Sequence, residues 1–139
     1  CILRDPSQRA YYDLKLVAIQ EIKPKEEVLK YVQEMERLFK DDPLNIWFRY
    51  GIYLKSVKKE YLEAIEIFEK VNEIQESGWS HYQIGLSYNL LGQIDNCLTH
   101  LGKAFSLDRS TREDARFFPE LDNIRDRKDF RKILTNFEQ

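Results

Sequence analysis

The chain has 139 residues, with 22 Lys and Arg against 24 Asp and Glu for a formal net charge of −2, and it is 42% hydrophobic and 33% charged with only five Gly and four Pro. Such a composition is enough for a continuous core and excludes a disordered tail, a collagen-like repeat and a loop-rich disulfide scaffold. The near balance of charge lacks the concentrated Lys and Arg excess that phosphate backbones require, so nucleic acid is not an expected partner.

The chain begins Cys1 rather than Met. Two expectations follow: a fragment of a longer chain, or the processed, lipid-anchored end of a bacterial envelope lipoprotein. A cytoplasmic location is the first expectation, the envelope the alternative. From Ser7 to Ile22 a first helix is predicted after Asp5-Pro6, where a carboxylate caps and a proline is tolerated in the first turn. Val28, Tyr31, Val32, Met35, Leu38 and Phe39 mark the apolar face of a second helix. Asp42-Pro43 opens a third over Leu44 to Lys58. In a fourth, Tyr61, Ala64, Ile65, Phe68 and Val71 follow the i, i+3, i+4, i+7, i+10 stripe of one buried face. Trp79 to Leu91 is the fifth, and Ile94, Cys97, Leu98, Leu101, Ala104 and Phe105 pattern the sixth. No apolar run reaches the roughly 20 residues a membrane helix needs, since Asp95, Asn96, His100 and Lys103 interrupt the longest one. No transmembrane segment is expected.

These helices repeat. Met35, Phe68 and Leu101 are spaced by 33 residues, as are Leu38, Val71 and Ala104, and Tyr31, Ala64 and Cys97. In the preceding helices Ala18, Gly51 and Gly85 are spaced by 33 and 34, the extra residue falling in the turn Ser56 to Glu60. A period near 34 carried by helix pairs predicts an array in which each pair, too small to bury its own apolar face, shares a core with its neighbours.

At these residues the chain resembles the tetratricopeptide repeat family, whose pattern runs Trp-x2-Leu-Gly-x2-Tyr, then Ala-x3-Phe, then Pro. The middle repeat has Trp47-x2-Tyr50-Gly51-x2-Leu54 and Ala64-x3-Phe68. The third has His81-x2-Ile84-Gly85-x2-Tyr88, Gly92 in the turn and Cys97-x3-Leu101. The first is degenerate, with Ala18 in the glycine place and Tyr31-x3-Met35, and Pro43 closes it. The resemblance implies an all-α fold, a right-handed superhelical solenoid of helix-turn-helix repeats over 7–43, 44–77 and 78–109. Residues 110–139 resemble the acidic, Phe-containing segment that closes bacterial arrays of this kind, with Phe117, Leu121, Ile124, Phe130, Ile133 and Leu134 as its apolar side. Glycine suits the 51 and 85 positions because two helices cross closely there.

Catalysis finds little support. His81 and His100 have no partner at a metal-ligand or triad spacing, and the two cysteines, Cys1 and Cys97, form no metal knuckle, so no metal, no cofactor and no enzymatic activity are expected. Binding finds more. In the family the first helix of each pair lines a concave groove. The resemblance carries that role to Tyr12, Lys15 and Ile19, to Phe48, Ile52 and Lys55, and to Trp79, Tyr82, Leu86 and Asn89. Ile19, Ile52 and Leu86 then form an apolar row where chaperone-binding relatives place amides, which favours an apolar or amphipathic ligand with one or two acidic groups. The expected function is a protein-interaction scaffold holding a peptide or partner domain. The alternatives are a structural or regulatory part of a larger enzyme or lipoprotein, and a groove occluded by the segment before Ser7 or the segment after Ser110.

Overall fold

A computed structural model describes residues 43–136 together with Glu26, Leu29, Lys30 and Gln33. Apart from those four residues and Pro43, the first predicted helix pair, with Tyr12, Lys15 and Ile19, lies outside the described residues. Every element among those described is helical. The chain divides into two compact units, Cys1–Ile74 and Gln75–Gln139.

In the first unit, helix α1 (Pro43–Tyr53) starts at a proline, which needs no hydrogen-bond acceptor in a first turn. It runs into a π-helical turn, Leu54–Lys58, closed by Lys59 in the left-handed region at φ 57°. The Lys59 N–H donates to the Leu54 carbonyl, and the Glu60 N–H reaches the same oxygen at 2.9 Å. This wider turn lies where the repeat spacing grows from 33 to 34, so the additional residue is absorbed by loosening the helix end. Helix α2 (Tyr61–Ile74) buries Ala64, Ile65, Phe68 and Val71, four of the five stripe positions. It returns antiparallel to α1. Phe68 meets the Gly51 backbone, where an added Cβ would lie 2.6 Å from Cε1 of its ring, and Phe48 packs edge-on against Phe68 at 5.4 Å.

The second unit opens with α3 (Gly78–Leu90), capped by Ser77, whose Oγ accepts from the Ser80 N–H at 3.1 Å. A short turn, with Gly92 at φ +79°, leads into α4 (Ile94–Leu107). The pair crosses at Gly85, where a Cβ would stand 2.9 Å from Leu101 Cδ2 and 3.2 Å from the Cys97 carbonyl. Gly78 approaches Asp108 as closely at the other end. Asp108 ends α4 and caps α5 (Arg109–Ala115), its side chain accepting from the Ser110 N–H at 2.9 Å. A 3-10 turn (Pro119–Leu121) and helix α6 (Lys128–Thr135) complete the unit.

The C-terminal segment is part of the core rather than an appendage. Leu121, Ile124 and Phe130 join Tyr82, Leu86, Cys97, Leu101, Ala104, Phe105 and Ala115 in one buried cluster, with Ile133 and Leu134 against it. Phe117 departs from the expected apolar side and is 82% exposed. Phe118 is the one of the two that turns towards Tyr82, ring centres 6.4 Å apart. Burial pushes the Cys97 thiol up to about 12, so it stays protonated as an inert core side chain.

Candidate functional site

The segment after Ser110 lies over the face of α3 that the repeat pattern assigns to the groove. Tyr82, Leu86 and Asn89 are buried, which corrects the expectation that they line an open surface. The Tyr82 O–H donates to Asp114 Oδ2 at 2.7 Å, and burial with that carboxylate drives the phenol well above its ordinary range. Asn89 and Asn123 exchange a reciprocal pair of amide hydrogen bonds at 2.9 Å each, and Asn89 also donates to the Glu120 carbonyl. Leu86 is enclosed in the core cluster with Leu121, Ile124 and Phe130. The physical cause is that α3 is buried along most of its length, so its second apolar face also requires a cover.

In the first unit, Lys55 sits in the π-helical turn and is 5% exposed, so it is not a surface cation at a groove rim. Phe48 and Ile52 are half-buried. Trp47, at the repeat's signature position, lies in the core with the Lys70 ammonium 3.8 Å over its ring.

Of the predicted groove residues on α3, Trp79 alone remains half-exposed. It forms one wall of an open groove of about 620 Å³ lined by Trp79, Ser110, Glu113, Asp114, Phe117, Phe118 and Pro119. The Trp79 Nε1–H donates to Ser110 Oγ at 3.2 Å, and Ser110 Oγ in turn donates to Asp108 Oδ1. Arg125 braces the segment that carries Phe117 and Phe118. Its guanidinium donates to the carbonyls of Ala115 at 2.8 Å, Arg116 and Phe118 at 2.6 Å, satisfying the open end of α5, and its Nη2 also reaches Asp122 at 3.1 Å. Sequence reasoning assigned Phe117 to packing, and nothing in the sequence separates it from Phe118, which packs near Tyr82.

The two histidines, without partners in sequence spacing, meet across the α3–α4 pair. His81 Nε2–H donates to Glu76 Oε2 at 2.8 Å. The Nδ1 atoms of His81 and His100 are 3.1 Å apart, their rings are stacked at 5.3 Å, and Tyr88 stacks on His100 at 5.7 Å. Burial, reinforced by His81 and Lys103, pushes the His100 imidazole down to about 4. No group of three or more potential metal ligands occurs among the described residues. The contact ties α3 to α4. Because the folded ring holds its proton less tightly than the ordinary value of 6.5, its contribution is complete above about pH 6.5 and is lost as pH falls towards 4. The melting temperature of the wild type is expected to drop more steeply between pH 7 and 4.5 than that of His100→Phe, measured by circular dichroism in parallel.

No helix among the described residues is long and apolar enough to cross a membrane. Comparison with protein-family models, curated proteins and solved structures gives no match for this chain.

Proposed function

We propose that the chain is a non-enzymatic interaction module of the tetratricopeptide-repeat kind, holding a peptide or a segment of a partner domain. The reading rests on the period near 34 and on the glycine-mediated crossings of both helix pairs, and the observation that carries it is the open aromatic groove at Trp79, Phe117 and Phe118. A rigid aromatic at 82% exposure contributes nothing to the core, and leaving it in water costs burial free energy of about 2 kcal/mol that a bound partner recovers. Rigid rings beside an apolar floor are the usual makings of a peptide-binding surface. The site is displaced from the expected groove residues of α3 because Tyr82, Leu86 and Asn89 are already occupied by the C-terminal segment.

The test is selection from a displayed random-peptide library on the wild type and on Phe117→Ala. Because Phe117 is exposed, the variant should melt within about 0.5 kcal/mol of the wild type. Peptides enriched on the wild type are expected to lose at least about tenfold in affinity for the variant. Equal binding to both, or no enrichment on either, would remove the groove from consideration.

A further inference from the structure

We propose that this groove takes a cationic side chain, an arginine or lysine carried on an extended peptide next to an apolar residue. The inference rests on the interaction-module reading and specifies its ligand.

Trp79, Phe117, Phe118 and Pro119 give the groove apolar walls, and its polar lining consists of Ser110, Glu113 and Asp114. Two carboxylates and no Lys or Arg line it. Aromatic faces carry negative quadrupole density, so the rings and the carboxylates attract the same kind of group. With its N–H spent on Ser110, the Trp79 indole has no donor left for an anionic or carbonyl ligand and offers only apolar surface.

The two carboxylates differ in what already balances them. Glu113 has Arg109, Arg112 and Arg116 at 3.6–3.7 Å, so its charge is largely answered within the chain. Asp114 accepts a hydrogen bond from the Tyr82 hydroxyl at 2.7 Å and forms no ion pair among the described residues. One exposed carboxylate thus stands beside an apolar wall without an ion-pair partner among the described residues. An apolar occupant would strip water from Asp114 and give nothing back, and an acidic one would meet like charge. A second copy of this chain inserting its own Phe117 would fill the walls but would likewise leave Asp114 unpaired. A guanidinium or ammonium satisfies both features at once, its stem against the rings and its head on the carboxylate. The volume of about 620 Å³ accommodates such a side chain and one flanking residue.

The experiment is a nitrogen-15 NMR titration of the full chain with acetyl-Pro-Arg-Leu-amide, its citrulline counterpart and its glutamate counterpart. The chain has two tryptophans, and Trp47→Phe identifies which indole N–H signal belongs to Trp79. The arginine peptide is expected to shift the Trp79 indole and the amides of Ser110, Phe117 and Phe118. Citrulline, isosteric but neutral, should bind about tenfold more weakly. Asp114→Asn keeps an oxygen for the Tyr82 hydroxyl and should reduce the arginine peptide to the citrulline level at an unchanged melting temperature. If all three peptides shift the groove equally, the cationic preference is wrong while the peptide-binding reading stands. If none shifts it, or if the same residues report self-association without peptide, the proposal is overturned; display selection then decides separately whether the groove binds any other peptide.

Discussion

Gly51→Leu and Gly85→Leu are expected to abolish cooperative folding of the units that contain them, whereas Gly102→Ala should raise the melting temperature. At position 51 even a methyl group would lie 2.6 Å from Cε1 of Phe68, whose ring is fully buried and cannot step aside without moving Phe48. At position 85 the obstruction is Leu101 at 2.9 Å and, behind it, the Cys97 backbone carbonyl at 3.2 Å, which no side-chain rotation relieves. Overpacking by a single methylene already costs about 1–3 kcal/mol, and a leucine adds a whole side chain between two helix backbones. A domain of this size has only about 5–15 kcal/mol in total. Gly102 shares a helix pair with Gly85, yet a Cβ there meets nothing within 4 Å. Replacing it removes backbone entropy from the unfolded chain and should stabilise by about 0.5–1 kcal/mol. Thermal unfolding by circular dichroism reads both signs, and a stable, cooperative Gly85→Leu protein would refute the close crossing.

The second large effect is expected at Arg125. Its guanidinium collects three main-chain carbonyls at the end of α5 and the Asp122 carboxylate, so one side chain fixes the path of 115–118. Arg125→Ala should cost about 2–3 kcal/mol, because the carbonyls lose a charged donor and the last turn of α5 is left open. Arg125→Lys should recover only part of this, since an ammonium cannot reproduce the planar fork. Loss of amide-exchange protection is expected first at 115–124, ahead of α3 and α4. The two walls of the groove belong to Trp79 and to this segment, so peptide affinity should fall in the alanine variant at temperatures where α3 and α4 remain folded. Uniform loss of protection over the whole unit would instead make Arg125 a general stability residue.

Helix pairing was legible in the sequence because it depends on local periodicity. The stripe Ala64, Ile65, Phe68, Val71 is buried as its spacing requires, and the glycines at 51 and 85 lie at crossings of the kind their spacing implied. The one-residue irregularity between them was also visible, though its form, a π-helical turn rather than a longer loop, was not. The site was less legible. A helical wheel shows that Tyr82, Leu86 and Asn89 share a face, but not that Asp114, Glu120 and Asn123, 31 to 34 residues onward, supply its partners. Tertiary cover of this kind leaves no mark on the periodicity of the covered helix. The meeting of His81 and His100 escaped for the same reason: 19 residues separate them, and only the antiparallel return of α4 brings them to 3.1 Å.

The most direct test of the account places a photoreactive benzoylphenylalanine at position 117 and, as a control, at Leu107, which is half-exposed on the same unit. After irradiation in native extract, a discrete crosslinked partner is expected from position 117 that is absent from position 107 and is competed away by a display-selected peptide. The same products from both positions, or only a crosslinked pair of this chain, would contradict it.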